Sequence, residues 1–523
     1  MKNPSPVQSP RSELAYGLSA ICNFQFSIFN LQLPFLFVAL VLASAVTRAA
    51  SPATVGAPFT PPGPSWNYTL LPGSQLVDDC YCGRPTILVP MQGTFQLRWL
   101  EENMLFTTYA VTNISFVATA GGGTYRVTGH GLYQVGGEVA VVQSMFLTAQ
   151  IDDGFTNRLA YFTSNGGVIE RPWPFLQIHL DQTNGTIMQF FRLDLVAAPL
   201  REVWFSTTAE FHAGIWQPPT NRVSPGDFLS SAGRIVQRNE DLTARLGLMP
   251  GVPDLGLDAV DVLSGGEIAF SIETDVLSET LGPLHHGDLL SNRGRIVARN
   301  GDLVRAFMIM PPVPDVGLDA VQVLDSGEIL FSIGTDLFSG TAGQLRRGDL
   351  LSNRGVVVRT HDALLARFHP PPTPHDWGLD AIYVWSSGEI WFSLEEGFRD
   401  DVLGQINPGD VLSDQGTVIY RNRELLVAFQ PLEELDDFDL DALFVVNETL
   451  TQSATVPCAI GFNPKTGDVT LRWDVRGSLF QVEKGANVFG PYLPTGPLLS
   501  EPTFTDYGAL QRQSQAFYRL RYW

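Results

Sequence analysis

The feature that most limits what this chain can fold into is a spacing: three separate marks recur at intervals of 61 residues through its second half. Gly-Asp recurs at Asp227, Asp288, Asp349 and Asp410, and Leu-Asp-Ala at Asp258, Asp319, Asp380 and Asp441. Gly-Glu recurs at Glu267, Glu328 and Glu389. No insertion interrupts the period, so each connecting loop is expected to be fixed by packing. A repeat of this length is one supersecondary unit that must stack on its neighbours to bury a core.

One unit shows the expected elements. Val321 and Val323 share a face, Ser326-Gly327 turns the chain, and Ile329, Phe331 and Ile333 share a face of the next strand. Gly348-Asp349 opens a third short strand, and Asn353-Arg354-Gly355 turns it into a fourth over 356–359. A short helix should follow, capped by a residue such as Asn300. The pairs Leu242/Leu246, Leu303/Phe307, Leu364/Phe368 and Leu425/Phe429 would lie on one side of it. Pro250, Pro311 and Pro372 would end it.

A four-stranded sheet this short buries one face poorly alone, and twisted four-stranded sheets stacked radially make a β-propeller. Residues 193–446 are therefore expected to form four blades, or five if flanking segments contribute one; a linear β-solenoid is the structural rival. Leu193-Asp194 and Glu202-Val203-Trp204-Phe205-Ser206 echo Leu379-Asp380 and Glu389-Ile390-Trp391-Phe392-Ser393. The run at Leu440-Asp441-Ala442 is a surplus first strand that could pair into the opening blade.

The flanking segments also read as β structure, so the fold class is all-β. Over 66–192 there are long β-favouring runs at 86–100, 106–118, 123–135 and 138–151. A pair across 175–196 is expected to hinge on Asn184-Gly185. Together they suggest an N-terminal β-sandwich. Strand-like runs at 468–475, 478–484 and 516–523 predict a small C-terminal β-sandwich over 454–523.

Residues 1–50 hold Lys2 and Arg11 ahead of an apolar run at 33–46 that ends in small residues, the pattern of a secretory signal. A retained anchor over 24–46 is the alternative. Residues 51–65 read as a linker. Export would place the protein outside the cell, secreted or at the cell surface. The 33 basic and 54 acidic residues leave a net charge of −21, which disfavours nucleic acid and anionic lipid as partners. A membrane partner enters only through a retained N-terminal segment. Cys80 and Cys82 are one residue apart, a spacing at which a mutual disulfide is expected to be strained.

The turn-strand pattern Ser-Gly-Glu-Ile-x-Phe-Ser, at 326–332 and again at 387–393, resembles that of extracellular bacterial β-propellers. The tail, from Thr470-Leu471-Arg472-Trp473 through Phe480-Gln481-Val482-Glu483-Lys484 to Phe517-Tyr518-Arg519-Leu520, resembles C-terminal modules of secreted bacterial proteins. It is similar to a fibronectin type III domain with strands missing. These resemblances imply fold and say little about activity.

The strongest candidate for chemistry is an acidic loop. Asp254 and Asp258 recur as Asp315 and Asp319, Asp376 and Asp380, and Asp437 and Asp441. Carboxylates four apart around a glycine could ligate Ca²⁺ through oxygen, or accept backbone N–H bonds and fix a turn. Asp227 and its equivalents, after Gly at a strand entry, suit turn chemistry. His285-His286 has no matching histidine in other units. Trp377, Trp385 and Trp391 replace aliphatic residues of the sibling units, as a glycan-stacking surface or as larger core residues. No Gly-x-Ser-x-Gly elbow, phosphate loop or His-Glu-x-x-His motif occurs. The pattern favours an exported, non-enzymatic binding or scaffold protein for an extracellular protein or polysaccharide. The alternative is a carbohydrate-active enzyme with carboxylates at a propeller mouth.

Overall fold

The computed structural model describes residues 21–22 and 65–522, apart from short segments at 121–122, 139–140, 165, 169–175, 201, 264–265, 373–374, 434–437, 447–457, 474–479, 486–492, 496–498, 500–501 and 513–514. The expected export signal (1–50) and linker (51–65) lie almost wholly outside the described residues. Only Ile21–Cys22, paired with Phe517–Tyr522, and Ser65 are described. The fold is all-β, with many antiparallel sheets and a few helices of one turn or so. Among the described residues no helix is long and apolar enough to cross a membrane. The chain divides into two units, 28–450 and 451–523 with 1–27.

In the first unit, the N-terminal strands are those the apolar runs predicted, but they belong to one ten-stranded sheet instead of two stacked ones. From Leu176–Gln182 the pairing passes through Asn157–Thr163, Val142–Asp152, Gly123–Gly136, Phe106–Ala120, Ile87–Glu102 and Ser65–Leu70 to Phe190–Pro199. Phe190–Pro199 then pairs back with Leu176–Gln182. Long strands can curl this way when bulges and glycines relieve the pleat. The register shifts at Thr94/Gln96, Trp99/Glu101 and Val111/Ile114. At Gly93 and Gly131 a Cβ would lie about 2 Å from a neighbouring carbonyl oxygen, so only glycine admits the close approach. Tyr68, Phe95, Phe116, Tyr133, Leu147 and Leu193 share the single core inside.

Two local expectations are corrected here, and a pairing is settled. Leu193-Asp194 lies within Phe190–Pro199 of this sheet and not in the repeats. The hairpin turns two residues beyond Asn184-Gly185, at Ile187-Met188, where Thr186 bridges Gln189. Asn184 is spent on the neighbouring strand instead: its Oδ1 accepts from the Tyr161 amide and its Nδ2 donates to the Leu159 carbonyl, both at 2.9 Å. Cys80 and Cys82 form a disulfide, with a Cα–Cα distance of 5.2 Å.

The repeats form four four-stranded antiparallel sheets. The second runs Val260–Leu263, Glu267–Phe270, Leu289–Ser291, Arg295–Ala298, and the third and fourth copy it from Val321–Val323 and Ala381–Val384. The first sheet is made from both ends of the segment: Leu443–Val446 pairs antiparallel with Glu202–Phe205, followed by Phe228–Ser230 and Arg234–Gln237. The inner strands touch in a cycle. Val260–Leu263 packs on Val321–Val323, that strand on Ala381–Val384, then Leu443–Val446, which packs back on Val260–Leu263. A two-stranded hairpin that the pattern did not predict, such as Val276–Ser278 with Gly282–Leu284, interrupts each meander.

Hydrogen bonds repeat around this cycle. Ser206, Ser271, Ser332 and Ser393, all fully buried, donate to the carbonyls of Leu257, Leu318, Leu379 and Leu440 at 2.8, 2.9, 2.8 and 3.1 Å. The Gly-Asp series is structural. Asp410 accepts from the amides of Asn407 (3.0 Å) and Asn422 (2.9 Å) and from the Arg421 guanidinium (2.6 Å). Asp227 and Asp288 repeat all three contacts, whereas Asp349 keeps only the amides because Thr360 stands where the others have arginine. Each Asp thus ties a turn to the first amide of the short helix 12 residues later. Asn300, expected to cap that helix, instead uses its side chain on Gly287, Val316 and Gly317.

The second unit holds two sheets, one with Cys458–Asn463, Asp468–Trp473 and Thr503–Asp506, the other with Phe480–Gly485 and Phe517–Tyr522. Val469, Leu471 and Trp473 from one meet Phe480, Val482 and Tyr518 from the other in a shared core.

Asp410→Ala is expected to cost about 2–4 kcal/mol, since it strands two buried amides and a guanidinium at once. Urea unfolding of the full chain checks this; a loss below about 0.5 kcal/mol would contradict the structural role.

Candidate functional site: an acidic ring end

The paired aspartates of the Leu-Asp-Ala loops separate into two roles. Asp254, Asp315 and Asp376 each accept, through Oδ1, the amide of the glycine two residues on, at 3.0, 2.9 and 3.0 Å. Those glycines, Gly256, Gly317 and Gly378, have φ of +72, +79 and +71°, so the turn needs both the glycine and the side chain that closes it. Asp439 takes the glycine's place in the last loop, and Asp437 lies outside the described residues.

The second members do something else. Asp258, Asp319, Asp380 and Asp441 sit just before the four inner strands, at the same end of each, and converge. Burial, then the charges of Asp319 and Asp441, push the Asp258 carboxyl well above the usual range. Burial, then the charges of Asp441, Asp439, Asp258 and Asp319, do the same to Asp380. Asp441 is raised by burial, Glu273 and Asp439, and Asp319 is pushed up to about 7 by burial and Glu395. Among the described residues, Oδ2 of Asp380 and of Asp441 is buried with no hydrogen-bond partner. Like charges gathered away from water cannot all ionise at once, so protons are retained among them.

Positive charge stands beside Asp319, where His286 and Arg347 oppose the rise. The Arg347 guanidinium meets Glu395 at 2.5 Å, contacts Glu396, and donates to the Asp376 carbonyl at 2.9 Å. His286, one period earlier, lies 3.4 Å from Asp315. His285 and His286 both bond Asp275, at 2.9 and 3.0 Å, and against its partial burial hold that carboxyl down at about 2. Among the described residues no group of three or more His, Cys, Asp or Glu is arranged to hold a metal ion. Of each described pair that suggested Ca²⁺, the first aspartate spends one oxygen on its turn.

The tryptophans do not form a stacking surface. Trp391 is 1% and Trp385 6% exposed, packed edge to face with centroids 5.0 Å apart. Half-buried Trp377 lies between Phe398 (5.2 Å) and His375 (4.4 Å). Trp385 and Trp391 are buried core residues at the fourth sheet, and Trp377 packs half-buried against its core.

The raised carboxyls carry a pH signature. Folded, Asp319 holds its proton to about pH 7, and unfolded only to about 4, so between these the folded chain binds more protons. Its contribution to stability is present in acid and is lost as pH climbs toward 7. Asp319→Asn should therefore raise stability at pH 8 by about 1–2 kcal/mol and change it little at pH 4. Denaturant melts at both pH values check this, and a larger gain at pH 4 would contradict it. No family model matches this chain, and no curated protein matches it.

Proposed function

We propose that the four sheets are the blades of a four-bladed β-propeller in an exported binding or scaffold protein, and that its partner is an extracellular protein or a polysaccharide. The closing pair of Glu202–Phe205 with Leu443–Val446 and the cycle of inner-strand contacts support the propeller. A two-sheet core in the second unit supports the fibronectin-type-III-like module at the C-terminus. The observation that carries the binding role is the acidic ring end. Asp258, Asp319, Asp380 and Asp441, flanked by Glu273, Glu395 and Asp439, gather carboxyl groups at one end of the ring, and those of them that ionise add negative potential to a chain whose net charge is already −21. Such a face selects basic protein segments or uncharged and cationic glycans, and repels nucleic acid and anionic membranes.

The Gly-Asp aspartates and the serines that repeat are occupied by turns, helix amides and inter-sheet bonds, which favours a binding surface over a reacting constellation. The test is the full chain presented to a glycan array and to a panel of basic and acidic proteins. The expected result is saturable binding that weakens as salt rises and falls about tenfold or more when Asp258, Asp319, Asp380 and Asp441 are all changed to Asn. Release of shortened glycan during the assay would replace this proposal with the carbohydrate-active enzyme.

A further inference from the structure

The glutamates of the second strands divide three to one. Glu202 accepts from Arg234 at 2.6 Å, Glu267 from Arg295 at 2.7 Å, and Glu328 lies 3.3 Å from Arg354. Each also accepts from the serine of the adjoining strand, Ser230, Ser291 or Ser352. Three of the four sheets therefore meet a largely buried carboxylate with an arginine of their own. In the fourth, Gln415 and Thr417 stand at the positions of those arginines.

Glu389, only 4% exposed, is held instead by three neutral donors: Ser413 Oγ at 2.7 Å, Trp391 Nε1 at 2.8 Å, and Thr94 Oγ1 of the N-terminal sheet at 2.8 Å. Among the described residues no cation lies within ion-pair distance of it, and burial pushes its carboxyl upward. Two bonds go to Oε1 and one to Oε2, so Oε2 retains acceptor capacity. A buried carboxylate with neutral partners alone is costly, and charge pairing is the ordinary remedy.

Beside Glu389 opens a cavity of about 360 Å³ between the N-terminal and fourth sheets, within the size range of small-molecule sites. Buried Glu389 and Ser115 line it, together with half-buried Gln415 and Asp152 and exposed Arg126 and Arg367. A buried anionic group without its cation and two exposed guanidinium groups in one lining describe a complement that carries both signs of charge, with Asp152 a further anion of that lining.

We propose that this cavity binds a small zwitterion, its guanidinium or ammonium end on Glu389 in place of the arginine that the sibling sheets supply, and its carboxylate toward Arg126 and Arg367. A basic amino acid has this form. The polar lining, from Ser115, Thr128, Ser387 and Gln415, suits its remaining donors and acceptors.

Calorimetry on the full chain tests the proposal with L-arginine, L-lysine, butylguanidinium (cation alone) and acetylglycine (carboxylate alone). L-arginine or L-lysine should bind, butylguanidinium more weakly, and acetylglycine not at all. Glu389→Gln should weaken binding about tenfold or more. Gln415→Arg, which restores the sibling arrangement, should abolish binding while raising the melting temperature without ligand. That rise also shows the variant is folded. The double change Arg126→Ala with Arg367→Ala should reduce L-arginine to the affinity of butylguanidinium. No binding of either amino acid at millimolar concentration, or binding undiminished by Gln415→Arg, would overturn the proposal.

Discussion

The four-sheet segment depends on one pairing made across about 240 residues of chain, that of Leu443–Val446 with Glu202–Phe205. Without it the first sheet loses its inner strand, and both Ala381–Val384 and Val260–Leu263 lose a neighbour. All four residues of each partner are buried, so the pairing is held by apolar burial as well as by its ladder. The last serine bridge, from Ser393 to the Leu440 carbonyl, leads directly into this strand. The contacts within one repeat are local, whereas this one closes a very long loop, so its entropy must be offset by contacts distributed round the whole cycle.

Aspartate is used in two opposed ways within the same repeat. Asp410 and its equivalents meet amides and, in three units, an arginine, so burial is compensated and the residue fastens turn to helix. Asp380 and its equivalents face one another, and burial is compounded by like charge. Self-repulsion of this kind lowers stability. The Arg347 contacts with Glu395 and Glu396 relieve one sector, and the histidines at 285 and 286 are occupied with Asp275.

Much of the strand content was legible because alternation and turn residues are local signals. The period of 61 exposed the repeats, and the surplus run at Leu440-Asp441-Ala442 anticipated the closing strand. The extra hairpins escaped because strands of three residues, such as Val276–Ser278, are too short to show a period. The N-terminal runs predicted strands but not their curvature, which rests on bulges and on contacts of Gly93 and Gly131 that only the paired neighbours reveal. Asn184-Gly185 misled because Asn184 serves a strand remote in sequence. Of the two readings of the tryptophans, core packing is the one that the burial of Trp385 and Trp391 supports, since departure from a repeat consensus also marks a change in packing. One departure was readable and went unread: the loss of arginine at Gln415 and Thr417, opposite a glutamate that the repeat retains.

Native-state hydrogen exchange of the full chain at graded denaturant tests the closure most directly, because it assigns an opening free energy to each strand. The closed cycle predicts that amides of Glu202–Phe205 and Leu443–Val446 exchange only through global unfolding. They should share one opening free energy with those of Glu267–Phe270, Ile329–Phe331 and Ile390–Ser393. Exchange of Leu443–Val446 through a separate, low-energy opening that leaves the other sheets protected would contradict it.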